Sequence, residues 1–135
     1  MGLASALRVL VIDDDDIARE VLCEALRAAG HDVFELPSAI GASRAISENE
    51  IQAVVLDVMM PSINGDKLAR LLRQATSGRA LTIILVSSQP PAELNILAQA
   101  AMADAVVSKA DVRGQLARVL QRAHIGRSSQ RSATV

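Results

Sequence analysis

The sequence predicts an α/β fold: a doubly wound five-stranded parallel sheet of strand order 2-1-3-4-5, built from five successive βα units, (βα)5. Three observations carry this. Short apolar runs of strand length alternate along the chain with longer stretches of helical periodicity. The short runs are nearly continuous in Val, Ile and Leu, which suits strands covered on both faces. Right-handed crossovers then leave few arrangements, and helices on both faces of five strands suit the order 2-1-3-4-5.

The first run, Arg8–Ile12, is followed by Ala18, Val21, Leu22, Ala25 and Ala29, one face of a first helix. Gly30 stands where that helix should stop, at the C′ position that favours a left-handed residue. A second strand, Asp32–Leu36, precedes a weaker helix on Ala39, Ala42 and Ile46. Strand three is expected at 52–56, with the helical stripe Leu68, Leu71, Leu72 and Ala75 behind it. Strand four, 81–86, leads to Leu94, Leu97, Ala98 and Ala101. Strand five, 104–107, leads to Val112, Leu116, Val119, Leu120 and Ala123. Turn residues fall between elements at Pro37, Pro61, Asn64-Gly65, Gly78 and Pro90-Pro91. One domain is expected over residues 7–124. Residues 125–135 show no apolar period and read as a disordered tail or the start of a linker.

Composition narrows the function. Half of the 135 residues are hydrophobic, yet there is no Trp, no Tyr and one Phe, so the core must be aliphatic. Fourteen basic residues face 15 acidic ones, and net charge therefore gives no attraction to nucleic acid or membrane. The missing aromatics remove the usual stacking platform for single strands. No apolar stretch approaches the roughly 20 residues of a membrane span. Residues 1–5 lack the basic-then-apolar pattern of a secretory signal. Cys23 is the single cysteine, which excludes an intramolecular disulfide and a Cys-based zinc site. A cytoplasmic protein without direct nucleic-acid or membrane binding is expected.

The unusual polar residues collect at the C-terminal ends of the expected strands. Asp13 and Asp14 follow strand one, Asp57 strand three, Ser87 and Ser88 strand four, and Lys109 strand five. In a 2-1-3-4-5 sheet, strands one and three are neighbours at the switch point where ligands gather. Adjacent strands lie only about 4.8 Å apart, so three carboxylates would crowd together. Their repulsion needs an offset. Mg²⁺, which takes one or two carboxylates with waters and phosphate oxygens, provides one. With a hydroxyl at Ser87 and an ammonium at Lys109, the set fits phosphoryl transfer to a carboxylate.

These residues carry a family resemblance. Over roughly residues 7–124 the chain resembles the response-regulator receiver domain of two-component signalling. The matching segments are residues 9–15, residues 54–61 with Asn64-Gly65, residues 86–88, and residues 103–105 leading into Ser108-Lys109. The spacings are 43 residues from Asp14 to Asp57, 30 from Asp57 to Ser87 and 22 from Ser87 to Lys109. The resemblance implies that Asp57 is the phospho-acceptor and that Asp14 binds Mg²⁺ directly. It implies that Asp13 acts on the metal largely through water, and that Met59 contributes its backbone carbonyl. Ser87 is then the switch hydroxyl, and Lys109 pairs with the phosphoryl group. The implied partner is a sensor histidine kinase or a histidine phosphotransfer domain. A downstream protein or an absent output domain would read the signal, and a homodimer is left open. The domain would catalyse its own phosphorylation and a slow dephosphorylation rather than act as an enzyme on other substrates.

Two positions depart from the family. Ala110 stands where a cis proline usually follows the lysine, and a non-proline cis bond costs about 3–4 kcal/mol, so a trans bond is expected. Val106 stands where the family's switch carries an aromatic ring. Two other functions fit parts of the pattern. Residues 12–17 satisfy the aspartate-x-aspartate start of haloacid-dehalogenase-type phosphatases, with Asp13 as nucleophile. That reading leaves Asp57 idle, and the 26 residues after Lys109 hold one isolated acid, Asp111. The other is a receiver-like binding module that is never phosphorylated, although every site position is filled by a competent residue. Elsewhere, Asp15 and Asp16 read as helix-start residues favoured by the macrodipole. Cys23 reads as a small packing residue. His31 and His124 read as surface histidines.

Overall fold

The structure, a computed structural model, describes residues 6–58, 67–69, 72–73, 81–88 and 103–133, with side chains through 126. Its elements are β1 (Arg8–Ile12), α1 (Asp16–Ala28), β2 (Asp32–Leu36), α2 (Ala42–Glu48), β3 (Ala53–Asp57), β4 (Thr82–Ser87) and β5 (Ala105–Ser108). A 3₁₀ turn (Lys109–Asp111) then leads into a last helix, α3 (Val112–Ala133). The strands form one sheet of order β2-β1-β3-β4-β5, with every pairing parallel. The expected fold class and strand order are both present. Residues 67–69 and 72–73 are helical behind β3, with Leu68 and Leu72 buried. The helix expected on Leu94, Leu97, Ala98 and Ala101 lies outside the described residues.

Strand alternation divides the core in two. Leu10, Ile12, Val54, Leu56, Ile83 and Leu85 face one side, under Ala42 and Ile46 of α2 and under Leu68 and Leu72. Val9, Val11, Val55, Ile84, Val86 and Val107 face the other, under Leu22, Cys23 and Leu26 of α1 and Val112, Leu116 and Leu120 of α3. Each fully buried Leu, Ile or Val contributes about 1.5–3 kcal/mol against exposure, and that sum fixes which face every strand residue takes.

Strands three to five end one residue later than the apolar pattern indicates. The ladder, not hydrophobicity, sets the end: Asp57 pairs with Val86 and Ser87 with Ser108. Helix α1 starts as expected, with the Asp15 side chain accepting from the Ile17 N–H at 3.1 Å and Asp16 in the first turn. It stops at Gly30, whose φ of +93° is left-handed. Of the expected stripe, Leu22 is buried and Val21 and Ala25 pack at the margin of the core, with Cys23 and Leu26 buried beside them; Ala29 lies past the helix end and is exposed. Helix α1 packs against α3 as well as the sheet. Helix α3 carries its backbone through residues 125–133, which the sequence pattern leaves as a disordered tail or the start of a linker. Propagating a helix needs no apolar stripe, and Gly126 costs only about 1 kcal/mol against Ala.

Both histidines depart from the surface role expected of them. His31 is buried, and its Nδ1 accepts the Leu7 N–H at 3.0 Å. His124 on α3 is half-buried and its Nδ1 lies 3.0 Å from Oγ1 of the buried Thr82. Apolar periodicity cannot see either, because each is engaged by a polar partner distant in sequence. Cys23 does pack as expected: it is buried, and burial pushes its thiol up to about 11.

To accept from Leu7, His31 must be neutral, and burial lowers its pKa below the ordinary 6.5. A base with a depressed folded pKa contributes its stability fully above the unfolded value. It loses that contribution as pH falls through about 6.5 toward the folded value. An NMR titration should therefore place the His31 midpoint below 6.5. A midpoint at or above it would rule out the neutral acceptor.

Candidate functional site

The sheet register builds the site. Ile12 lies opposite Leu56, so the next residue on each strand, Asp13 and Asp57, comes to the same level of the C-terminal edge. Both continue the alternation on the side covered by α1 and α3, which turns the carboxylates toward each other. Ligand oxygens of Asp13, Asp14 and Asp57 all lie within 4.8 Å of one another. Asp13 and Asp57 are buried, while Asp14 is exposed at the mouth. Ser87 ends β4 in full burial, on the opposite side of the sheet from Asp57 by the same alternation. Lys109 begins the 3₁₀ turn after β5. Its Nζ donates to Asp57 Oδ2 at 3.4 Å and stands 3.6 Å from Asp13 Oδ2. Met59 and the loop after Ser88 lie outside the described residues.

Electrostatics follow from this crowding. Burial raises the Asp13 carboxyl above its usual range; the Asp15 N–H opposes the rise, Asp57 adds to it, and Lys109 opposes it. Burial acts to lower the Lys109 pKa, but Asp13 and Asp57 outweigh it and hold the ammonium above its ordinary value. Asp13 Oδ1 is occupied by the Asp15 N–H at 2.9 Å, whereas its buried Oδ2 makes no hydrogen bond. A buried anionic oxygen in that condition, beside two more carboxylates, suits a hard divalent cation with oxygen ligands.

Two supporting residues are not evident from the sequence pattern. Ser108 caps the 3₁₀ turn by accepting the Ala110 N–H at 3.3 Å, a bond that proline at 110 has no N–H to make. The described residues include no cis peptide bond, in keeping with a trans Lys109–Ala110 link. Arg19 of α1 donates to the Asp13 carbonyl at 2.8 Å. Val106 is half-buried in the α2-side core and pairs with Leu85. Ser88 is exposed beside the site, and Asp15 and Asp16 serve the helix start.

A doubly wound sheet that gathers carboxylates, a hydroxyl and an ammonium at its switch point is an architecture suited to handling phosphoryl groups. Residues 9–121 match the response regulator receiver domain, and the chain belongs to that family. It is 32% identical over 109 residues to a gliding motility regulatory protein of Myxococcus xanthus, covering 81% of this chain and 14% of that protein. It is 37% identical over 83 residues to response regulator MprA of a Mycobacterium species, strain KMS, covering 62% of this chain and 35% of that one. The chain thus spans well under half the length of these relatives. Among solved structures, it resembles the receiver domain of the Arabidopsis thaliana histidine kinase CKI1 complexed with Mg²⁺ and BeF₃⁻. The TM-score is 0.74 at 28% identity, over 88% of this chain and 90% of that one. Among the described residues, no helix is long and apolar enough to cross a membrane.

Proposed function

We propose that the domain over residues 7–124 is a phosphoryl-accepting switch, with Asp57 as acceptor and Mg²⁺ held beside it. The observation that carries this reading is Lys109 reaching both Asp57 and Asp13 where three carboxylates converge. Asp13, Asp14, Asp57 and the Met59 carbonyl would hold the metal, Asp13 largely through water. When bound, Mg²⁺ screens the carboxylates and the incoming phosphoryl oxygens. An Asp57 oxygen forms its bond to phosphorus as the phosphorus–nitrogen bond of a phosphohistidine breaks, and the imidazole leaves with that electron pair. Lys109 pairs with one phosphoryl oxygen and the Ser87 hydroxyl donates to another. The CKI1 receiver, solved with Mg²⁺ and BeF₃⁻, supports carrying this chemistry over.

The donor is a sensor histidine kinase or a histidine phosphotransfer domain, and an acyl phosphate can substitute for it. The signal passes to a downstream protein or an output domain, in the cytoplasm, with a homodimer compatible. The phosphatase alternative fits poorly, because Asp13 has no exposed surface and one of its oxygens is already engaged by the Asp15 N–H. The direct test is mass spectrometry after incubation with acetyl phosphate and Mg²⁺. One added phosphoryl group is expected; none under any donor would leave a non-phosphorylated binding module.

A further inference from the structure

Arg19 lies on α1, behind the acidic turn and outside the ligand set. Its side chain is only 14% exposed and its guanidinium is divided among three acceptors. Nη1 donates to the Asp13 carbonyl at 2.8 Å, Nη2 to Asp16 Oδ1 at 2.6 Å, and Nε to Glu35 Oε1 at 3.0 Å. The planar fork is thereby fixed from α1, from β2 and from the turn itself, a geometry that lysine's point charge cannot reproduce. Burial would lower its pKa, but the bonds to Asp16 and then Glu35 dominate and hold it above its ordinary value, so it stays charged.

The bond to the Asp13 carbonyl matters because that carbonyl belongs to the peptide joining Asp13 to Asp14. Asp13 is secured independently: its N–H donates to the Leu36 carbonyl at 3.3 Å and its Oδ1 accepts from Asp15. Asp14 has no such support. Its carboxylate is exposed and makes no hydrogen bond or ion pair among the described residues. What orients Asp14 is the plane of the peptide that precedes it, and Arg19 holds that plane.

We infer that Arg19 is a positioning residue for cation binding: by fixing the Asp13–Asp14 peptide it presents the Asp14 carboxylate to the metal. The inference rests on the Mg²⁺ site proposed above. Asp16 and Glu35 hold the guanidinium and offset its charge, so the support stands beside the pocket without opposing a cation.

The sign of the effect separates positioning from simple charge. Removing a positive group, and leaving Asp16 and Glu35 unpaired, would by Coulomb's law alone strengthen Mg²⁺ binding. Loss of positioning weakens it. Mg²⁺ affinity is to be measured by isothermal titration calorimetry on the wild type, Arg19→Ala, Arg19→Lys and Asp14→Ala, each well below its melting transition. Arg19→Ala should bind about tenfold more weakly, in the range typical of lost outer-shell support. Arg19→Lys should fall between it and wild type, and Asp14→Ala should lose the most. The Asp14 amide resonance should also move in metal-free Arg19→Ala. Should that variant fail to fold, Arg19→Lys, which keeps the positive charge but not the planar fork, carries the test alone and should still bind Mg²⁺ more weakly than wild type. Unchanged or tighter binding in a folded Arg19→Ala, with wild type binding normally, would overturn the inference and leave the Mg²⁺ site standing. Absence of Mg²⁺ binding in the wild type would overturn both.

Discussion

Asp57→Asn is expected to abolish phosphorylation while leaving the fold in place. Asparagine has nearly the shape of aspartate, so the 53–57 ladder has no steric reason to change. Its amide nitrogen lone pair is delocalised and the anionic nucleophile is gone. The substitution also removes one buried charge facing Asp13, whose pKa Asp57 helps to raise. Asp57→Asn should therefore be at least as stable as the wild type without metal. The measurement is mass spectrometry with peptide mapping after treatment with acetyl phosphate and Mg²⁺. Wild type should carry one label on the peptide containing Asp57, and the variant none. A label persisting in the variant at Asp13 would move the nucleophile to β1 and favour the phosphatase reading.

Lys109→Ala should have the second largest effect, on stability as well as on transfer. Lys109 is ion-paired with two buried carboxylates, and its removal leaves a charged group short of a partner, which costs more than the roughly 1–3 kcal/mol of a neutral group left unpaired. The pH dependence follows from the two raised pKa values. A raised Lys109 contributes stability that is present below 10.5 and lost as pH rises through its folded value. A raised Asp13 contributes stability only at low pH, and loses it as pH climbs through its own folded value. At neutral pH the variant keeps the Asp13 penalty and loses the Lys109 contribution. Urea unfolding of the metal-free proteins should show the variant less stable at neutral pH, with the deficit shrinking under acid as Asp13 protonates. Mg²⁺ should stabilise the variant more than the wild type, because it supplies the missing positive charge. An equal Mg²⁺ effect on both proteins would mean that Lys109 does not screen these carboxylates.

Much of this architecture is legible in the sequence because burial on both faces imposes a pattern. The strands β1, β3 and β4 are almost wholly apolar until their last residues, so Asp57 and Ser87 are conspicuous against them. Family resemblance then supplied roles that spacing alone leaves open, above all the separate parts of Asp13 and Asp14. What the pattern missed are residues placed by polar contacts rather than by apolar packing. Arg19 lies outside the apolar stripe of α1, yet Glu35 and the Asp13 carbonyl draw it in. His31 and His124 are held by Leu7 and Thr82 in the same way. The continuation of α3 to Ala133 was hidden for the opposite reason: residues 125–133 carry no apolar period for the pattern to find.

The alternation that sets Asp57 and Ser87 on opposite sides of the sheet has a mechanical consequence. Asp57 belongs to the side roofed by α1 and α3, while Ser87 belongs to the side roofed by α2. Any ligand that reaches both residues must straddle the rim of the sheet, so its bonds would tie together two layers that otherwise share only the strands between them.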